Sequence, residues 1–135
     1  MGIKYAMIHI LMHFIFPIVI SYFFGLNLVQ FIIVLIGAII IDLDHLSMML
    51  CYGIRGTFRK VVVQGFGKVR QYPFHNFAIL IITAMSAFLV LLEGFFIAGI
   101  FSLAIFLHLL WDMLEDVLIF KVGIKHWKVG YRKHK

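Results

Sequence analysis

The sequence predicts an all-α protein: a four-transmembrane-helix bundle with a basic interfacial segment between helices 2 and 3. Three observations carry this reading. First, 64% of the 135 residues are hydrophobic and only 13% are charged, against about 45–50% and about 25% in soluble domains. A chain of one-domain length hides too small a share of its surface to keep so much apolar area from water. The same composition excludes disorder. Second, the apolar residues fall into four runs, most of them near the roughly 20 residues that cross a bilayer. Third, all twelve Lys and Arg residues sit in three stretches that four crossings place on one side. The whole chain, 1–135, reads as one integral membrane domain.

The elements follow in order. The first span runs from about 5 to 24. It is too long, and too rich in Phe and Ile, for the apolar region of about 7–15 residues in a signal peptide. Gly25, Leu26 and Asn27 make a turn, and the second span covers about 28–45. Residues 46–72 mix Arg55, Arg59, Lys60, Lys68 and Arg70 with Gly53, Gly56, Gly65, Gly67 and apolar side chains. That mixture suits a segment lying on the membrane surface. The third span is about 74–92. Glu93 and Gly94 turn the chain into the fourth, about 95–120. The basic tail 121–135 then rests against anionic head groups.

Lys4, the five basic residues of the central segment and the six from Lys121 onward share one side, and the two short turns opposite hold none. The positive-inside rule makes the charged side cytoplasmic, with both termini there and the chain in the cell's inner membrane. The net charge of +6 therefore reports topology, and no nucleic-acid partner is expected. Cys51 is the single cysteine, so there is no intrachain disulfide. Membrane lipid is the expected surrounding, and a homo-oligomer is compatible with it.

Ionisable residues in or beside spans are costly and mark function. Here they are His9, His13, Asp42, Asp44, His45, His75, His108, Asp112, Glu115 and Asp116. Alternating helix directions bring all of them to the cytoplasmic end. His9 and His13 are spaced i, i+4 and share a helix face, as do His108 and Asp112. Members of each pair differ in depth by roughly 6 Å. This predicts a two-layer site: His13 and His108 at its floor, with His9, Asp44, His75 and Asp112 nearer the mouth. Imidazoles and carboxylates together suit a divalent metal, zinc first, with manganese or iron as alternatives. The metal candidates are His9, His13, Asp42, Asp44, His75, His108 and Asp112, enough for one to three ions. Which of His9 and His13 is a ligand stays open. The bland readings are that His9 or His45 only bonds a neighbouring helix, and that Glu115 and Asp116 cap the last span against Lys121 and Lys125. His126 and His134 read as solvated or in contact with head groups.

The stretch Asp42-Leu43-Asp44-His45 resembles an element of the inner-membrane, metal-dependent hydrolase family regulated by LexA in some bacteria. That family has an N-terminal His, a Pro-Asp-Ile-Asp-His stretch, a His-Arg-Gly-x-Thr-His stretch and a late His-x-x-x-Asp. His9 or His13, then Asp42, Asp44 and His45, then Arg70 and His75, then His108 and Asp112 match these in order. Ile41, Val69 and Phe74 depart from the pattern. The resemblance implies metal-dependent hydrolysis, with ligand patterns similar to those of zinc-dependent phospholipase C.

The residues and the resemblance together lead to a cytoplasm-facing hydrolase acting on a phosphate ester of a lipid. A metal would lower the pKa of water. Asp44 would be the general base, with His45 beside it in the catalytic set. Arg70, with a catalytic role of its own, and Lys68 would hold the substrate phosphate. The alternatives are a divalent-cation transporter, a haem or quinone protein using paired histidines, and a structural membrane protein stabilised by metal. Towards the far side only Ser21, Asn27, Gln30, Ser86 and Ser102 are polar besides Glu93, with Thr83 near mid-span, a poor path for a transported cation.

Overall fold

The computed structural model describes residues 3–43, 74–119 and 127; the side chains at 3–7, 9, 10 and 119 lie outside that description. So do the expected interfacial segment 46–72 and the tail apart from Trp127. The described chain is all-helical. It comprises α1 (Ile3–Phe24), α2 (Leu28–Ile40), α3 (Phe77–Leu92) and α4 (Phe96–Leu114), which continues into a π-helical turn at Glu115–Ile119. Among the described residues there is no strand. One continuous stretch of 23 residues, Phe96–Leu118, is long and apolar enough to cross a membrane; Leu11–Phe24, Leu28–Ile40 and Phe77–Leu92 are shorter apolar helices.

Local chemistry sets the helix ends. The Asn27 side chain accepts from the Gln30 amide at 3.0 Å, and the Gln30 side chain returns the bond to the Asn27 amide at 3.0 Å. This capping box starts α2 at Leu28. Asn76 Oδ1 accepts from the Ile79 amide at 3.1 Å, so α3 begins at Phe77 and not at 74. The two turns between paired helices each use a glycine in the left-handed region, Gly25 at φ 61° and Gly94 at φ 82°. The second span was expected to reach about 45. Regular helix instead stops at Ile40, where the chain turns and the Asp42 amide bonds to the Ile39 carbonyl at 3.0 Å. Pro17 lies inside α1. It has no amide to offer the His13 carbonyl four residues earlier.

α4 is the hub, touched by each of the other three helices. Gly37 lets α2 come close. A Cβ there would meet the Phe101 carbonyl oxygen at 2.9 Å and the Ala104 Cβ at 3.3 Å. One apolar core gathers Ile20, Val34, Ala38, Ile100 and Ala104; a second gathers Ile41, Leu80, Leu109 and Trp127. The exterior is apolar as well. Tyr22 is 90% exposed and Phe23 81%, and Leu28, Ile82, Phe88 and Phe95 also face outward. Inside, by contrast, lie His108 at 3% exposure, Asp112 at 8% and Glu115 at 3%. Apolar groups outside and ionisable groups inside reverse the arrangement usual in water.

Candidate metal centre

Four elements deliver one side chain or pair each to the same point. Asp42 follows the end of α2. His75 precedes the Asn76 cap of α3. His108 and Asp112 are one turn apart on α4, and His13 comes from the middle of α1. One ligand atom from each of Asp42, His75, His108 and Asp112 lies within 4.8 Å of all the others, and the group is largely buried. His108 Nε2 and His75 Nε2 are each 2.9 Å from Asp112 Oδ2. Asp42 Oδ1 is 3.3 Å from His108 Nε2 and 3.6 Å from His75 Nε2.

These spacings fit a bound cation. Donors about 2.0–2.1 Å from a tetrahedral centre stand about 3.3 Å from one another, and the four nitrogen-to-oxygen distances bracket that value. Charge fits too. Two carboxylates balance one divalent ion, whereas two carboxylates beside neutral imidazoles would leave a double negative charge in a buried place. Asp42 stands just past the carbonyl end of α2, and helix C-termini favour cations.

Partners outside the group orient its members. His108 Nδ1–H donates to the Ala38 carbonyl at 2.5 Å, which turns the Nε2 lone pair towards the two aspartates. That carbonyl is within reach because the adjacent Gly37 lets α2 lie so close to α4. His13 Nε2 lies 2.5 Å from Asp42 Oδ2, the oxygen not turned to His75 and His108. The rings of His13 and His108 meet edge to face, 4.5 Å between centroids.

The expected division into floor and mouth is not what the geometry has. His108 and Asp112 converge on one point, because side chains four residues apart share a helix face and their tips meet at 2.9 Å. Glu115 and Asp116 were expected to cap the helix against lysines. Lys121 and Lys125 lie outside the described residues; Glu115 is buried, and Asp116 accepts a hydrogen bond from Trp127 Nε1–H at 2.9 Å. Trp127 also packs on Phe77 and stands 6.2 Å, ring to ring, from His75. The sequence reading missed it; its only signal was an isolated Trp in a basic tail. Asp44, His45, Lys68 and Arg70 lie outside the described residues, as does the His9 side chain. The choice between His9 and His13 is therefore settled only to this extent: His13 is at the site. No protein-family model, curated protein or solved structure matches the chain.

Proposed function

We propose that the chain is an integral membrane hydrolase that uses a divalent metal, zinc first, to cleave a phosphate ester of a lipid at the cytoplasmic face. The observation that carries this is the convergence of Asp42, His75, His108 and Asp112, with donor atoms 2.9–3.6 Å apart, inside helices whose outer surfaces are apolar. Four crossings belong to the same proposal. α1 has 22 residues, about 33 Å of helix. α2 and α3, with 13 and 16 residues, are about 20 and 24 Å long, and a locally thinned bilayer accommodates them. Exposed apolar side chains on all four helices support lipid contact, since soluble monomers rarely show apolar patches above a few hundred Å².

Asp42, His75, His108 and Asp112 would hold the ion. Bound there, it supplies Lewis acidity to a phosphoryl oxygen and makes water easier to deprotonate. The chain's residues do the rest. The Ala38 carbonyl keeps the His108 ring in one tautomer. Asp112 spans the two imidazoles through one oxygen. Asp44 takes the proton from attacking water, with His45 next to it. Arg70 and Lys68 bind the substrate phosphate and neutralise it.

Purified protein is expected to contain metal and to release phosphate-bearing product from phospholipid vesicles. His108→Ala is expected to lose metal and activity together. Full metal content in His108→Ala would end the proposal, and so would a wild-type chain free of metal, in which the four residues form a closed ion-pair cluster. A second reading is a structural metal site, favoured by the count of four protein donors, which fills a tetrahedral shell. Metal present in stoichiometric amount, with no turnover of any lipid phosphate ester, would select it.

A further inference from the structure

We infer that His13 is a positioning residue, which fixes the Asp42 carboxylate from outside without itself holding the ion. This rests on the metal-centre reading above. His13 Nε2 and Asp42 Oδ2 are 2.5 Å apart. An ionised carboxylate has no proton to give, so the imidazole donates. The nitrogen that carries that proton has no lone pair left for a cation. Accordingly, His13 is not in the group of four whose donor atoms lie within 4.8 Å.

Asp42 needs such a partner. The torsion that turns a carboxylate about its own axis is soft, and Asp42 stands in the turn just past the end of α2, where its backbone is held by the Ile39 carbonyl but that torsion is not. The His13 bond takes Oδ2 and leaves Oδ1 facing His108 and His75 at 3.3 and 3.6 Å. His13 is itself held, with its ring edge against His108 at an interplanar angle of 84°. His108 is steered in the same manner by the Ala38 carbonyl. Each of these two donors thus has an outer partner on another helix, an arrangement that sharpens metal affinity.

The test uses the full-length chain in detergent, titrated with Co²⁺ and followed by visible absorption. Wild type, His13→Ala, His13→Gln and Asp42→Ala are compared. His13→Ala is expected to bind Co²⁺ with the wild-type stoichiometry and band positions but about 10–100-fold more weakly. His13→Gln, whose amide can donate to the same oxygen, is expected to recover most of that loss. Asp42→Ala is expected to change the spectrum itself. Shifted bands in His13→Ala would make the histidine a ligand, and unchanged affinity would make it a bystander; either overturns the role. Should His13→Ala fail to fold, His13→Leu, which fills the space but offers no donor, takes its place under the same criteria: wild-type bands with weakened affinity support the role, and shifted bands or unchanged affinity overturn it. A wild-type chain that takes up no Co²⁺ overturns the metal reading and this role together, an outcome distinct from both variant failures.

Discussion

Along α4, the residues buried between Phe96 and Ala104 (Gly99, Ile100 and Ala104) are covered by apolar contact, while in the stretch from Ile105 to Leu114 the buried His108 and Asp112 gather around charge. In the first, Ile100 and Ala104 touch Ile20, Val34 and Ala38, and the main polar feature is the Ser86–Ser102 pair at 3.2 Å. In the second, His108 and Asp112 sit among Asp42, His75 and His13. Burial is similar, but its physical terms differ. Apolar burial needs only close contact, and a methyl group more or less changes it by degrees. Burial of charge needs every partner in place, and losing one leaves an uncompensated group. Stability defects and site defects should therefore separate along one helix.

The largest separation is expected from Asp112→Ala set against Ile100→Ala. Asp112→Ala removes the oxygen that lies 2.9 Å from both His75 and His108. Metal content, read by elemental analysis, is expected to fall close to zero, with about 3–5 kcal/mol lost from the stability of the fold. Ile100→Ala opens a cavity and is expected to cost about 2–5 kcal/mol in denaturation, with metal retained. Equal metal loss in both variants would erase the distinction between the two stretches.

A smaller effect sharpens the boundary. Gly37→Val would press on the Phe101 carbonyl and Ala104, pushing α2 and the Ala38 carbonyl away from His108. It is expected to cost about 1–3 kcal/mol and also to weaken metal binding in a competition assay. Gly99→Ala meets the Leu91 side chain, remote from the site. Its expected cost is of the same order, with metal affinity unchanged. The smallest effect concerns the serine pair. A Ser86/Ser102 double-mutant cycle in detergent is expected to return a coupling of about 0.6 kcal/mol and wild-type metal content.

Much of the helical layout was legible in residue order. Gly25–Asn27 and Glu93–Gly94 announce turns through residues that tolerate left-handed backbone or cap a helix. The i, i+4 spacing of His108 and Asp112 puts them on one face of any helix containing them. Less visible was where helices stop. Asn76 capping α3 two residues after the expected start is a side-chain choice, and the π turn after Leu114 has no compositional mark. The two layers do not separate His108 from His75 and Asp112, because depth was read from backbone rise alone, while side chains one turn apart on a helix face meet at their tips. Trp127 could not be anticipated, since its contact with Asp116 spans eleven residues outside any regular repeat.

Residue order was enough for the four described helices, the ends set by caps and glycines, and the identity of the costly polar groups, because these depend on interactions within a few positions of the chain. Folding in three dimensions decided that His13 reaches Asp42, which carboxylate oxygen faces the imidazoles, and that Gly37 brings the Ala38 carbonyl to His108. Those outcomes join residues 29 and 70 positions apart. They depend on how closely helices approach and how each is rotated, which packing at Gly37 and Ala104 sets and no local spacing encodes.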